Sequence, residues 1–218
     1  KRLSIFFLGD GSNVLFSDTS LPGLVIRNLI KGRQHSGREV ELGGGEKLDD
    51  VICWVNDLGL AGMERLYGIP GTLAGALVGN AGAFGQQVST VVLEVSFWSG
   101  DQVEVLTASD LDFAYRHSLF KTHREWFILS CRLGLTRSVE SLQDVSEEIL
   151  SRRLEKYPVG LRCPGSFFKN IPLDETSQET LEKVPEDFIM FDKIPAGKLL
   201  EAVGANGIRR GDAQFASY

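Results

Sequence analysis

The chain has 218 residues, 43% of them hydrophobic and 24% charged, enough for one or two globular domains with a real core. A net charge of -6 supplies no basic footprint for nucleic acid, and no apolar run approaches the roughly 18 residues of a membrane span. Cys53, Cys131 and Cys163 stand far apart without a CxxC or Cys/His cluster, which argues against a disulfide framework or a zinc site and fits a reducing, cytoplasmic setting.

Leu3 to Leu8 reads as a short buried strand that delivers the polar turn Gly9-Asp10-Gly11-Ser12-Asn13, with Val14-Leu15-Phe16 resuming the strand. The turn does not complete a GxGxxG fingerprint, because Val14 stands where the third glycine would be and no helix pattern follows. Ser12 and Asn13 either donate hydrogen bonds to a phosphate or are simply good turn chemistry. Leu24-Val25-Ile26 and Val40-Glu41-Leu42 read as further strands, with Gly32 to Arg38 as a polar turn between them. After Gly43-Gly44-Gly45, the residues Leu48, Val51, Ile52, Val55 and Leu58 recur at helical spacing, with Asp49 and Asp50 in the first turn and Gly59 at the end. Those two carboxylates suit the positive end of the helix better than catalysis.

Gly68 to Gly85 is rich in glycine but interleaved with Ile, Leu, Val, Ala and Phe, unlike a polar linker. Such a loop suits burial with backbone N–H groups aimed at a phosphate, or else a tight turn between core elements. Val91 to Trp98 and Gln102 to Leu106 form a hairpin about Ser99-Gly100-Asp101, and Phe127 to Leu135 is another strand. Val145 to Tyr157 reads as a helix stopped by Pro158, and Pro195 opens a last helix through Val203. Strands and helices alternate without a regular βαβ rhythm, which implies an α+β fold. The chain lacks a starting Met, and Gln214 to Tyr218 reads as a strand cut short, so a fragment missing both ends is expected.

Two polar clusters carry candidate chemistry. In Tyr115-Arg116-His117-Ser118, an Arg beside aromatic residues either grips a carboxylate or phosphate, or forms a surface ion pair. In Gly165-Ser166-Phe167-Phe168-Lys169-Asn170, Ser166 either donates a proton from a dry site or is a turn serine. His35 and His123 sit in charged, turn-like contexts and read as solvated surface residues.

Taken in order, the Gly9–Leu15 turn, Gly68–Thr72, Asn80–Gly85, Tyr115–Lys121, Gly165–Asn170 and Pro195–Leu200 resemble the UDP-N-acetylenolpyruvoylglucosamine reductase family, and the resemblance covers nearly the whole chain. It implies an FAD-binding part of the vanillyl-alcohol-oxidase type, made of two α+β subdomains, plus a small α+β substrate domain. Residues 1–20 would be the end of the first FAD-binding subdomain, 21–157 the second and 158–218 the substrate domain. The implied cofactors are FAD and NADPH, and the implied partner is a UDP-sugar used in peptidoglycan precursor synthesis. FAD contacts would fall on Gly9, Gly11, Ser12, Asn13, Ile69, Gly71, Thr72, Asn80, Ala81, Gly82 and Gly85, with Gly71-Thr72 nearer the pyrophosphate. Arg116 would hold the substrate carboxylate and Ser166 would supply a proton, with Tyr115, Lys169 and Asn170 near the sugar nucleotide. The family's C-terminal catalytic glutamate would lie beyond Tyr218. Two alternatives stand beside this reading. One is another flavin oxidase of the same superfamily, although residues 9–18 hold no His or Cys to tether a flavin. The other is a non-catalytic dinucleotide-binding domain.

Overall fold

The computed structural model describes residues 3–158, 160–163 and 165–216. Lys1-Arg2, Pro164 of the Cys163–Asn170 block, and Ser217-Tyr218 at the end of the last expected strand lie outside the described residues. The chain forms two compact units, residues 1–162 and 163–218.

The first unit is built on a five-stranded antiparallel sheet. Its strands are β3 (Arg33–Ser36), β4 (Glu39–Gly43), β5 (Val92–Trp98), β6 (Val103–Thr107) and β7 (Phe127–Gly134), in the order β3-β4-β7-β5-β6. Preceding it, β1 (Ile5–Leu8) and β2 (Leu24–Arg27) pair in parallel. Alternation along β4, β5 and β7 buries Val40, Leu42, Val95, Phe97, Ile128, Cys131 and Leu133 on one face. Helix α1 (Leu48–Asp57) turns Leu48, Val51, Ile52 and Val55 onto that core, as its i, i+3, i+4, i+7 spacing requires. Helix α2 (Leu73–Val78) adds Leu73, Ala74, Ala76 and Leu77. Phe97 is the aromatic centre, with Trp126 stacked at 4.5 Å and Phe120 edge-on at 5.3 Å.

Gly43-Gly44-Gly45 has a steric reason. A Cβ on Gly43 would lie 2.5 Å from the Ile30 carbonyl oxygen, and one on Gly45 would lie 2.6 Å from Ile30 N. The bare backbone lets the segment after β2 cross the end of β4. There Asn28 donates to the Ile128 carbonyl at 2.8 Å and locks the crossing to the sheet.

Helix α3 (Leu119–Thr122) follows the Tyr115–Ser118 turn, and α4 (Leu142–Lys156) closes the unit. Helix α4 begins before the expected Val145, because Ser141 accepts from Asp144 N and caps it. Its buried face carries Leu142, Ser146 and Ile149, whereas Leu154 is exposed. Asn56 of α1 donates to Ser146 Oγ at 2.9 Å and so ties the two helices.

Several expectations are corrected. Val14-Leu15-Phe16 is not a strand: these residues find no pairing edge, and Leu15 is fully exposed. The expected turn from Gly32 to Arg38 is mostly β3, with only Gly37-Arg38 turning, because the polar Arg33–Ser36 run forms an edge strand that needs no apolar alternation. The Gly68–Gly85 stretch is not one loop, since α2 occupies Leu73–Val78 within it. His123 is half-buried, stacked on Trp126 at 4.0 Å and paired with Glu125.

The second unit has less regular structure. Strands β8 (Ile171–Pro172) and β9 (Lys193–Ile194) pair antiparallel, and α5 (Gln178–Leu181) and α6 (Ala196–Ala202) lie between and after them. Pro172, Ile194 and Ala205 are its buried apolar residues among those described.

Candidate functional site

The loop Gly9–Asn13 leaves β1 and meets the loop Ile69–Thr72. Ser12 Oγ donates to the Pro70 carbonyl at 3.0 Å. A Cβ on Gly9 would lie 2.6 Å from Thr72 Oγ1, and one on Gly71 would lie 3.0 Å from Ser12 Oγ. The glycines are therefore what allows these two loops to touch.

The junction is held from below. Lys47 immediately precedes α1 and pairs with Asp10, which also accepts from Arg27 of β2 at 3.0 Å. The Lys47 hydrogen bond, and then that from Arg27, keep the Asp10 carboxyl below its ordinary range despite its partial burial. Leu48 N donates to the Gly71 carbonyl at 3.0 Å, Leu73 N to that of Glu46 at 2.9 Å and Ala74 N to that of Gly44 at 2.9 Å. Thr72 is buried and caps α2 by accepting from Gly75 N. A cleft of about 370 Å³ opens between Asp10, Lys47, Asp49, Asp50, Pro70 and Gly71. A larger cleft of about 510 Å³ lies elsewhere, between Ser36, Arg38, Glu39, Leu93, Gly134 and Leu135, and holds none of the expected site residues.

Past α2 the chain turns through Asn80 (φ 41°), Ala81 and the hairpin Gly82-Ala83/Gln86-Gln87, whose tip is Phe84 (φ 49°) and Gly85 (φ 79°). The Asn80 side chain is committed within the protein. It donates to the Ala114 carbonyl at 2.9 Å and Gln87 Oε1 at 3.2 Å, and accepts from Ser89 N at 3.2 Å. Any contact it makes with a ligand is left to its backbone. The bond to Ala114 also fixes the next candidate cluster. Ala114 and His117 exchange backbone bonds around Tyr115 and Arg116, and Arg116 takes a left-handed φ of 57°. Ser118 is fully buried and donates to the Val78 carbonyl at 2.9 Å, and Lys121 Nζ reaches the Arg116 carbonyl at 2.9 Å. The Tyr115-Arg116 turn is thus fastened to the C-terminal end of α2, beside the Asn80–Gly85 segment.

In the second unit, Gly165 (φ 78°) precedes an exposed Ser166 and the edge-on pair Phe167 and Phe168, rings 5.3 Å apart. Lys169 pairs with Glu175 at 3.5 Å. Asn170 Oδ1 accepts from Ala196 N at 3.2 Å and joins this block to the first turn of α6. Two expected motifs, Gly165–Asn170 and Pro195–Leu200, therefore meet inside one unit.

Residues 1–108 match the FAD binding domain family. The UDP-N-acetylenolpyruvoylglucosamine reductase of Solibacter usitatus is 37% identical over 216 residues, spanning 99% of this chain and 69% of that protein. The chain belongs to the UDP-N-acetylenolpyruvoylglucosamine reductase family. The reductase of a Synechococcus strain is 35% identical, with 99% of this chain aligned to 64% of its length. The crystal structure of the reductase from Thermus caldophilus shares the fold, with a TM-score of 0.73 at 24% identity over 99% of this chain and 72% of that one.

The residues present fit the dinucleotide that this reductase family uses. Gly9 and Gly71 let the two loops pack backbone to side chain, Lys47 and Arg27 beneath them are balanced in part by Asp10, and the chain continues beyond α2 through Asn80 to Gly85. Among the described residues no group of His, Cys, Asp and Glu is arranged to hold a metal ion, and no helix is long and apolar enough to cross a membrane.

Several contributors escaped sequence reasoning. Lys47 and Asp10 pair across 37 positions, and Ser118 reaches Val78 across 40, so no local pattern marks them. Arg153 looked like one more charge on α4, yet it is half-buried against Gly68.

Proposed function

We propose that this chain carries the flavin and substrate machinery of an FAD-dependent reductase that uses NADPH to convert UDP-N-acetylenolpyruvoylglucosamine to UDP-N-acetylmuramate, for peptidoglycan precursors. The observation that carries the reading is the contact between the Gly9–Asn13 and Ile69–Thr72 loops, made only because Gly9 and Gly71 lack side chains. Relatives bearing this reductase name support it over nearly the whole chain.

FAD, when bound, would supply the hydride-transfer chemistry that links NADPH to the vinyl group of the substrate. The backbone of Gly9, Gly11, Ser12, Asn13, Ile69, Gly71, Thr72, Asn80, Ala81, Gly82 and Gly85 would hold the dinucleotide, with Gly71-Thr72 nearer its pyrophosphate and Asn80 to Gly85 nearer its flavin. Arg116 holds the substrate carboxylate. It stays protonated throughout, so it stabilises negative charge as it develops. Ser166 Oγ donates the proton that completes the adjacent carbon, a general-acid role. Tyr115, Lys169 and Asn170 position the sugar nucleotide. In this assignment residues 1–20 close the first FAD-binding subdomain, 21–157 form the second and 158–218 bind substrate, in the cytoplasm.

The test is spectroscopic. The full-length gene product should purify yellow with a flavin spectrum, and the enolpyruvyl substrate should accelerate NADPH oxidation with sugar product formed in equal amount. NADPH oxidation indifferent to that substrate and yielding only peroxide would overturn the reading, and would favour the oxidase alternative.

A further inference from the structure

Arg153 lies on α4 where the two ends of the Gly68–Gly85 stretch meet. Its Cδ fills the space a side chain at Gly68 would need, 2.9 Å from that Cβ position, and its guanidinium carbon sits 5.4 Å from the centroid of the Phe84 ring. Phe84 holds this place at a left-handed φ of 49°, a conformation costly for a bulky residue. Arg153 Nε and Nη2 are shielded from solvent and donate to nothing among the described residues.

The surroundings do not neutralise it. Asp49 is the carboxylate within electrostatic reach, but its Oδ1 accepts from Gly68 N at 2.8 Å and it forms no ion pair with Arg153 among the described residues. Burial moves both groups toward their neutral forms, raising Asp49 and lowering Arg153. Arg116 lies within reach as a second positive charge. Buried donors left unmet are costly, and a buried charge without a close counter-ion more so.

The geometry points to Arg153 as a second anion-holding guanidinium beside Arg116, whose partner is a two-oxygen anion of the bound ligand. Nε and Nη2 form the side-on fork of the guanidinium, the edge that matches the two oxygens of a carboxylate or phosphate. Phe84, exposed at the hairpin tip, is the ring that stands over this guanidinium. The assignment rests on the functional reading above and deepens it. The anion has two sources with the same chemistry, the substrate (its carboxylate or phosphates) and the FAD pyrophosphate.

Arg153→Gln and Arg153→Lys in the full-length flavoprotein test it, by measuring dissociation constants for FAD and for the enolpyruvyl sugar nucleotide together with the thermal midpoint. A charge-assisted fork lost to Gln should weaken one of the two ligands by about 10- to 100-fold and leave the other within about threefold. Weaker substrate assigns the anion to the substrate, and weaker FAD assigns it to the pyrophosphate. Arg153→Lys should recover little, since it keeps the charge and loses the fork. Three results overturn the proposal: both constants unchanged, Lys restoring wild-type affinity, or both constants worsening together in step with a fallen thermal midpoint. Wild-type protein without flavin would instead sink the functional reading itself.

Discussion

Ser12 donates to the carbonyl of Pro70 at 3.0 Å, across 58 positions of sequence, and this bond joins the two glycine loops on which the site is built. Neither loop is a ligand cradle alone. Together they form a wall whose floor is the Asp10–Lys47 pair and whose continuation is the Asn80–Gly85 turn.

Gly9 is the sterically tightest point of that wall. Gly9→Ala should push the new methyl against Thr72 Oγ1 and disturb the cap of α2, costing about 1–3 kcal/mol as overpacking does. Flavin per polypeptide should fall with it, and urea unfolding gives the stability change. Full flavin occupancy at unchanged stability would show that the loops part without consequence.

Asn80 fastens the Gly82–Gln87 hairpin to the Tyr115-Arg116 turn. Asn80→Ala removes three part-buried hydrogen bonds of a buried side chain, for a loss of about 2–3 kcal/mol. Asn80→Gly loses the same bonds but accepts the left-handed backbone, so it should be milder by about 1 kcal/mol. Equal losses would mean that the backbone conformation contributes nothing.

Glu46 is buried and accepts from Gly32 N at 3.0 Å and from Arg33 Nη2 at 2.6 Å. Burial opposes its ionisation, but the Arg33 and Gly32 hydrogen bonds outweigh burial and hold the carboxyl below its ordinary range. The folded value thus lies below the unfolded one, about 4.3. Its stabilisation is complete above the unfolded value and is lost as pH falls through the folded value. Glu46→Gln should cost about 1–2 kcal/mol at pH 7, because it removes the charge-assisted bonds from Arg33, which keeps only its contacts with Asp50. The cost should shrink steadily below about pH 4. Unfolding measured at pH 7 and at pH 3 decides it, and a pH-independent difference would contradict the assignment.

Ser166 is exposed on the second unit, in the block tied to α6 by Asn170. Ser166→Ala should leave flavin reduction by NADPH nearly intact and slow the substrate half-reaction by about 10²–10⁴-fold, the span of general-acid catalysis. Equal loss in both halves would remove Ser166 from proton donation.

Much of the frame was legible because it obeys short-range periodicity. Helix α1 followed from Leu48, Val51, Ile52 and Val55, and the β5–β6 hairpin from two apolar runs about Ser99-Gly100-Asp101. Strand β3 was not legible, since Arg33–Ser36 carries no apolar alternation and is defined by its pairing with β4. Val14–Phe16 failed in the opposite sense, with strand-like residues and no edge to pair with. The glycine motifs announced a close approach, but not which loop approached which. That depends on pairs such as Gly9 with Thr72 and Arg153 with Gly68, far apart in sequence and set only by the packed fold.

The most direct test of the account is anaerobic reoxidation of the flavin. The full-length protein is reduced with NADPH, freed of nucleotide, and mixed without oxygen with the enolpyruvyl sugar nucleotide. The account predicts return of the oxidised flavin spectrum with one saturated sugar nucleotide formed per flavin. A flavin that stays reduced until oxygen is admitted would contradict it.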